Sequence, residues 1–302
     1  MAILQHQISN DRTLLRTRTL LGRAPACDVR MNNRLVSGEH ATIWWSEGTW
    51  WVRDLGSRNG TRLDDRRLKV GVAERLDAGC LLRFGDQVFV LESASPPKMG
   101  AIALDDGEIV SASGALMAIP SDDDPVAMLY QGPNGGFQLD MADIVCPVEN
   151  LEVIEVAGRL WRVELPLSMD STLEVEELPA SVLTSNFCFT VSLDEEHVQL
   201  TLTTPVGGEV VLPDRVHMYA LVVLARVRLA DAQLSPSEQG WVDRVQLCRM
   251  LAMDRKHLNL QLFRARKQLS DAGFEDMGEL VQRRGSTLRF GPVNVEVRAA
   301  GE

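Results

Sequence analysis

The stretch from Gly22 to Thr61 decides the N-terminal fold and reads GRAPACDVRMNNRLVSGEHATIWWSEGTWWVRDLGSRNGT. Its polar residues fall into three turn-forming clusters, which border runs of β-branched and aromatic residues. The clusters are Gly22-Arg23, Ser37 to His40 and Gly56 to Thr61. This alternation predicts a β-sandwich that carries its polar groups in loops at one end.

The spacing of these clusters resembles the forkhead-associated (FHA) domain, a phosphothreonine-binding β-sandwich. The resemblance covers roughly residues 4 to 92 and includes the motifs GR, SxxH and NG in the same order as in the family. Three spaced motifs are a far more specific signal than one. The resemblance implies that the arginine and serine hold the phosphate, that the asparagine fixes the peptide backbone, and that His40 is structural.

The residue types also suit this ligand chemically. A phosphothreonine carries close to two negative charges and three acceptor oxygens, so its reader needs several hydrogen-bond donors on a rigid frame. Arg23 offers a bidentate guanidinium group, and Ser37 offers a hydroxyl and a backbone N–H. Gly60 fits a turn position with positive φ. The candidate phosphopeptide-binding residues are Arg23, Arg34, Ser37, Ser57, Arg58 and Asn59.

Gly38 departs from the family pattern, in which the residue after the serine is often basic or amide-bearing. This removes one phosphate or peptide contact, for which Arg34 and Arg58 could compensate. The alternative at this point is an FHA fold that no longer binds phosphate and serves as a plain interaction module.

Composition and motifs argue against several other classes of protein. The sequence has no P-loop, nucleophile-elbow or zinc-protease motif, so we expect no catalytic residues, no cofactor and no enzyme activity. The five cysteines are widely spaced without a CxxC pair, and we expect no metal site. The longest apolar run, residues 218 to 225, is too short to cross a membrane. We therefore expect a cytoplasmic protein without a membrane partner.

The acidic charge lies in the middle of the chain. Residues 101–185 contain 16 acidic and 2 basic residues, a net charge of −14, whereas the whole chain has a net charge of −11. The sequence thus predicts a multidomain protein: an FHA domain over 1–95, a flexible acidic linker over 96–142, a β-rich connecting segment over 143–186 and a final α+β domain over 187–302.

The final domain shows a small sheet, three helices and a terminal hairpin, an order that resembles the winged helix-turn-helix of response-regulator (OmpR-type) transcription factors. The closest local similarity is the helix that follows Asp254, in which Leu258, Leu262 and Leu269 share a core-facing side. The resemblance implies that this helix enters the DNA major groove. The candidate DNA-binding residues are Lys256, Asn259, Gln261, Arg264, Arg266, Lys267, Arg283 and Arg284.

Two interpretations of this domain remain open. From Arg249 to Arg289 there are 9 basic and 5 acidic residues, which is a modest surplus for a DNA-binding surface. Leu260 and Phe263 also lie on the outward side, where they could contact thymine methyl groups or dock a protein. A further hypothesis is that the acidic segment masks the basic helix by acting as a pseudo-polyanion.

The sequence therefore predicts a phosphothreonine-dependent signalling protein. Its FHA domain docks a threonine-phosphorylated protein or a Ser/Thr protein kinase. Its winged helix binds double-stranded DNA, as a homodimer on repeated half-sites, and regulates transcription. The alternative is an adaptor or scaffold whose winged helix binds protein instead of DNA.

Overall fold

The first eleven strands form two sheets, and the apolar residues that alternate along them form the core. The computed structural model describes residues 2–132, 134–141, 144–166 and 180–300. One sheet has the strand order β2-β1-β11-β10-β7-β8 and the other β4-β3-β5-β6-β9. The strands are β1 (Ile3–His6), β2 (Arg12–Leu14), β3 (Arg18–Gly22), β4 (Val29–Arg30), β5 (Ala41–Ser46), β6 (Thr49–Asp54), β7 (Thr61–Leu63), β8 (Arg66–Arg67), β9 (Ala73–Leu76), β10 (Leu81–Phe84) and β11 (Gln87–Ser93).

The tryptophan hairpin supplies much of the sandwich core. Trp45 pairs with Trp50, and Trp44 pairs with Trp51 across β5 and β6. Trp50 is fully buried, and the ring of Trp45 lies against it with a centroid distance of 5.4 Å. Trp44 and Trp51 point to the opposite face, as the two-residue period of a strand requires. Of each two tryptophans that are adjacent in sequence, one thus faces the core and the other the opposite face.

The polypeptide forms two compact units. The first contains the described residues of Met1–Ser111, Asn150–Glu155 and Arg159–Thr172. The second contains the described residues of Ala112–Glu149, Val156–Gly158 and Leu173–Glu302. The strands that follow the sandwich are β12 (Gly100–Ala103), β13 (Ile109–Ser111), β14 (Leu116–Ser121), β15 (Asp124–Gln131), β16 (Phe137–Met141), β17 (Ile144–Pro147), β18 (Val153–Val156) and β19 (Arg159–Glu164).

The described residues of the segment predicted as a flexible acidic linker, 96–142, include five strands, β12 to β16. It contributes β12 and β13 to a sheet of order β13-β12-β19-β18 and β14 to β16 to a second sheet of order β14-β15-β16-β17. The acidic composition had suggested a solvated tether, but the segment also contains apolar runs. Leu116, Ile119 and Leu129 are among the fully or nearly fully buried side chains. Burial of such residues offsets the entropy cost of ordering the backbone.

A buried carboxylate anchors β19 within the first unit. Glu164 accepts hydrogen bonds from Arg16 at 3.2 Å and from Arg162 at 2.9 Å. Its side chain is 4% exposed, so these charge-assisted bonds compensate for its loss of water. The described part of the predicted β-rich segment, 143–186, includes β17, β18 and β19. β18 and β19 join the sheet of β12 and β13, whereas β17 belongs to the sheet of the second unit.

The second unit continues with short strands and three principal helices. They are β20 (Ala180–Ser181), β21 (Asn186–Val191), β22 (Val198–Thr203), β23 (Glu209–Leu212), α1 (Met218–Ala230), β24 (Val242–Asp243), α2 (Arg244–Met250), α3 (Arg255–Asp271), β25 (Phe274–Glu275), a single turn α4 (Met277–Leu280), β26 (Val281–Arg284), β27 (Thr287–Phe290) and β28 (Val295–Ala299). The sheets have the orders β23-β22-β21-β28, β24-β27-β26 and β20-β25.

Helix α3 begins where the sequence predicts. The Asp254 carboxylate accepts the backbone N–H of His257 at 2.7 Å, which satisfies one of the free donors of the first turn. Leu258, Leu262 and Leu269 are almost fully buried in the core shared with α1 and the surrounding strands. The predicted start of α3 after Asp254 and its predicted core-facing side are therefore confirmed.

Phe263, which the sequence predicts on the outward side of α3, is also buried. Phe263 is 1% exposed and packs in an apolar cluster with residues of β14 and β15. The other members of that cluster are Leu116, Ala118, Met128 and Tyr130. The sequence had placed Phe263 on an exposed surface, but the sheet of β14 to β17 covers it.

No helix in the described part of the chain is long and apolar enough to cross a membrane.

Replacement of Phe263 tests the packing between α3 and this sheet. We expect Phe263→Ala to lower the free energy of unfolding of the second unit by about 3–5 kcal/mol, because it opens a cavity in a buried apolar cluster. Denaturant unfolding together with hydrogen exchange of the α3 and β15 amides measures the loss. The control is Val216→Ala, at a side chain that is 75% exposed, with a change of about 0.5 kcal/mol or less. Equal effects of the two substitutions would contradict the observed packing.

Candidate functional site

Three loops of the sandwich meet around a small surface cavity of about 180 Å³. They follow β3, precede β5 and connect β6 to β7. Five of the six predicted phosphopeptide residues line this cavity. The lining residues are Arg23, Arg34, Leu35, Val36, Ser37, Gly38, Arg58 and Asn59.

Hydrogen bonds between loops fix the rim of the cavity. The Asn59 side-chain amide donates to the Leu35 carbonyl at 2.7 Å. The backbone N–H of Arg58 donates to Ser37 Oγ at 3.0 Å. Arg23 Nε donates to the Val36 carbonyl at 3.3 Å. Each bond joins residues that are distant in sequence, so the cavity is organised before any ligand is present.

His40 lies beneath the cavity and supports it. Its Nδ1 accepts the backbone N–H of Ser37 at 3.1 Å, so its Nε2 carries the proton and donates to the Gly60 carbonyl at 3.3 Å. Burial lowers the pKa of His40, although the Gly60 hydrogen bond opposes this effect. His40 is a neutral structural residue. The backbone N–H of Ser37, predicted as a phosphate donor, is already engaged by it.

Asp54, which is not among the predicted site residues, organises the loop between β6 and β7. Its carboxylate accepts hydrogen bonds from the backbone of Gly56 and Ser57 and from the hydroxyls of Ser57 and Thr61, at 2.6–2.9 Å. Burial raises the pKa of Asp54, but these hydrogen bonds outweigh it and lower the pKa overall. The signal available in the sequence was the pattern Asp54-Leu55-Gly56-Ser57, in which an aspartate two residues before Gly-Ser favours a side-chain-stabilised turn.

Ser57 does not line the cavity. It is 8% exposed, and its hydroxyl donates to Asp54 at 2.6 Å. Ser57 therefore supports the loop, because its hydroxyl is already engaged by the carboxylate of Asp54 in a charge-assisted hydrogen bond.

Glycines allow the loops to approach one another. A Cβ atom on Gly22 would lie 2.1 Å from the carbonyl oxygen of Gly38, so the GR motif needs its glycine for close backbone contact. Gly60 has a φ of +79°, as predicted, and a Cβ there would lie 2.4 Å from Arg67. A Cβ on Gly38 would meet open space. No steric reason therefore explains the departure from the family pattern at Gly38.

The cavity is electropositive. Arg23, Arg34 and Arg58 line it and are exposed. Among the described residues that line it there is no aspartate or glutamate. Three guanidinium groups without a carboxylate partner at the cavity favour a multiply charged anion.

The predicted DNA-binding residues of the second unit lie in a different environment. Arg266 of α3 is 1% exposed and pairs with Asp140 of β16 at 3.1 Å. Arg283 of β26 pairs with the other oxygen of Asp140 at 2.9 Å. Burial lowers the pKa of Arg283 to about 10, against the opposing effect of the Asp140 charge. Neither guanidinium group faces solvent in this arrangement, so the predicted contacts of Arg266 and Arg283 with DNA are not available in it.

Most of the other predicted DNA contacts are also engaged. Lys256 pairs with Asp124 at 3.0 Å, and Lys267 pairs with Asp122 at 3.1 Å. Gln261 is 8% exposed and hydrogen-bonds to His257. Arg284 pairs with Glu238 and stacks on Trp241. Arg264 is exposed, and Asn259 is partly exposed.

The described residues contain no cluster of three or more histidine, cysteine, aspartate or glutamate side chains that could hold a metal ion.

Acidification tests the neutral state of His40. Because burial lowers its pKa, the folded protein binds fewer protons than the unfolded protein below the ordinary histidine pKa of about 6.5. The stability of the first unit should therefore be full above about pH 6.5 and decrease as the pH falls below it. Denaturant unfolding followed by tryptophan fluorescence measures this, since five of the six tryptophans lie in that unit.

The matched variant is His40→Gln, which removes the titrating group and keeps a donor and an acceptor. We expect it to reduce the slope of stability against pH between about pH 6.5 and pH 5. An unchanged slope would show that His40 does not titrate as described.

Comparison with known proteins agrees with the geometry of the sandwich. The FHA domain family matches residues 19–85. The FHA domain-containing protein FhaB is 38% identical over 73 residues in Mycobacterium tuberculosis and over 72 residues in Mycolicibacterium smegmatis. These matches cover 24% of this chain and 46% and 45% of the respective relatives. The chain thus spans about half the length of the curated relatives it matches.

Among solved structures, Mycobacterium tuberculosis EmbR in complex with a low-affinity phosphopeptide is 26% identical, with a TM-score of 0.30. The match covers 32% of this chain and 25% of that chain. The family match over residues 19–85 and the two sheets of β1 to β11 identify an FHA domain, an all-β sandwich, in the N-terminal part of this chain.

Proposed function

We propose that this chain binds a threonine-phosphorylated protein through the cavity formed by Arg23, Arg34, Ser37, Arg58 and Asn59. The observation that carries the proposal is the cavity lining, in which three arginines converge and no carboxylate is present. A phosphate dianion is the common protein modification that matches such a charge. The FHA domain found at residues 19–85 supports the same ligand.

The free donors are suited to a tetrahedral anion. Arg23 uses Nε for the Val36 carbonyl, and its two terminal nitrogens donate to no other described residue. Ser37 Oγ accepts the Arg58 N–H, which leaves its own hydroxyl proton for a ligand oxygen. A phosphate placed against these two side chains would replace water with charge-assisted hydrogen bonds.

Asn59 has a double role in this proposal. Its amide nitrogen holds the Leu35 carbonyl, and its Oδ1 remains as an acceptor for a backbone N–H of an extended peptide. Ser57 is omitted from the binding set, since its hydroxyl supports the loop through Asp54.

We assign the chain to signalling by binding rather than by catalysis. Its partner class is a Ser/Thr protein kinase or a substrate of such a kinase, in the cytoplasm. The second unit then supplies the output of a phosphorylation-dependent adaptor.

DNA binding and transcription regulation are the second candidate for that output. In their favour, α1, α2 and α3 precede a hairpin whose strands join β24 in a three-stranded sheet, the element order of a winged helix. The burial of Arg266 and Arg283 against Asp140 argues against DNA binding. DNA binding by α3, including binding as a homodimer, would require this arrangement to open.

Phosphopeptide binding by the full chain tests the proposal. A degenerate phosphothreonine peptide library, matched to phosphoserine and unphosphorylated libraries, should be retained only in its phosphothreonine form. Affinity for a selected peptide should fall by about 10- to 150-fold in Arg23→Ala and in Ser37→Ala, because each loses a charge-assisted hydrogen bond worth about 1.5–3 kcal/mol. Fluorescence anisotropy with a labelled peptide measures both effects.

The control is Arg18→Ala, which removes the same charge from an exposed residue of β3 outside the cavity lining. It should change the affinity less than about threefold, because exposed long-range charges are screened by salt. If Arg18→Ala weakened binding as much as Arg23→Ala, or if no phosphothreonine peptide bound, the proposed site would be rejected.

A further inference from the structure

Helix α3 packs against a sheet of its own unit, β14-β15-β16-β17, which we call the cover sheet. The apolar part of their contact is separate from the main core. Phe263 is the residue of α3 that joins the cluster with Leu116, Ala118, Met128 and Tyr130, whereas Leu258, Leu262 and Leu269 belong to the core with α1. The two faces of α3 are thus held by two independent clusters.

The polar centre of the contact is a single carboxylate. Asp140 of the cover sheet binds Arg266 of α3 with one oxygen and Arg283 of the hairpin with the other. Asp140 and Arg266 are each 1% exposed. A carboxylate held by guanidinium groups from a helix and the adjoining hairpin occupies the position that the resemblance gives to a DNA phosphate or base edge.

The rim of the contact repeats this charge pattern. Lys256 pairs with Asp124, and Lys267 pairs with Asp122 and hydrogen-bonds to Ser113. Residues 112–149 contain six acidic residues and no lysine or arginine. Acidic side chains of the cover sheet therefore engage four of the eight predicted DNA contacts.

We propose that the cover sheet is an intrachain competitor of nucleic acid, which occupies α3 and must lift away before α3 can bind a polyanion. The proposal rests on the second candidate function, DNA binding by α3. It adds that this activity is off in the arrangement observed, and that the Asp140 contacts and the Phe263 cluster set the balance.

Chain connectivity gives this device a second property. The chain leaves the first unit after Ser111, forms the cover sheet, and returns to the first unit at Asn150. At both ends of the cover sheet, the chain therefore continues into the unit that contains the proposed phosphothreonine site.

The contact contains a position where the closed state can be fixed reversibly. A Cβ atom on Gly114 would lie 3.9 Å from the Cβ of Ser270 in α3, which is within the range of a disulfide. The backbone N–H of Ala115 already donates to Ser270 Oγ at 3.0 Å. The variant Gly114→Cys/Ser270→Cys should therefore close the cover sheet on α3 when oxidised and release it when reduced.

The experiment measures binding of the full chain to a short fluorescein-labelled, mixed-sequence DNA duplex at two salt concentrations. The opening variant is Phe263→Ala, which weakens the cover cluster and leaves the core residues of α3 in place. We expect it to bind at least about tenfold more tightly than the unmodified chain, since the apparent affinity rises with the open fraction. The gain should diminish at the higher salt concentration.

The disulfide supplies the matched control. In Phe263→Ala combined with Gly114→Cys/Ser270→Cys, oxidation should abolish the gain and reduction should restore it. A milder opening variant, Asp122→Asn/Asp124→Asn, removes two rim contacts without touching apolar packing. It is compared with Asp65→Asn/Asp123→Asn, which changes the net charge equally at exposed residues.

Two results would overturn the proposal. Equal binding by the oxidised and reduced forms would show that the cover sheet does not control access to α3. Absence of binding in both opening variants, with α3 folded by circular dichroism, would show that α3 is not a masked nucleic-acid surface. Phosphopeptide binding measured on the same proteins keeps either failure separate from a failure of the phosphothreonine site.

Discussion

The second unit depends on one buried ion pair network, in which Asp140 lies between Arg266 and Arg283. Removing three charged groups from water is costly, and the cost is compensated only while all three stay together. Arg266 also donates to the Val281 carbonyl at 2.9 Å, which ties α3 to the hairpin strand as well as to the cover sheet. Helix, hairpin and sheet are therefore fixed relative to one another through two guanidinium groups and a carboxylate. Loss of the carboxylate would remove the negative charge that the two buried guanidinium groups share, a more severe change than loss of an exposed ion pair.

The same arrangement explains why charge counting and structure lead to different functional conclusions for α3. The local surplus of positive charge from Arg249 to Arg289 is real, but much of it is neutralised by acidic residues that lie more than a hundred positions earlier in the chain. A basic helix is a nucleic-acid surface only where its charges reach solvent. Here its outward side is partly apolar, centred on Phe263, and partly ion-paired. The masking idea suggested by the acidic segment gains a physical basis, although a folded sheet and not a flexible tether would carry it.

In the candidate phosphothreonine site the arginines are exposed instead of buried. Its arginines point to solvent, and the supporting polar groups lie beneath them. Asp54 and His40 use their hydrogen-bonding capacity on the loops themselves. Burial of these two residues is offset by bonds to backbone groups, which fixes the loop geometry before a ligand arrives. The cavity therefore presents free donors on a rigid base, whereas the second unit presents donors that already have partners.

The sequence by itself determined the elements whose causes are local. Glycine positions, the alternation of the tryptophan hairpin, the Asp254 cap and the helical period of α3 were all readable, because each depends on residues within a few positions of one another. It also identified five residues that line the loop cavity. Only the tertiary structure decided that Ser57 supports the loop, that residues 96–142 contain strands, and that Arg266, Arg283 and Phe263 are buried. These outcomes depend on partners such as Asp140 and Met128, which lie far away in sequence. Composition records the charge of such partners but not the face of the fold on which they meet.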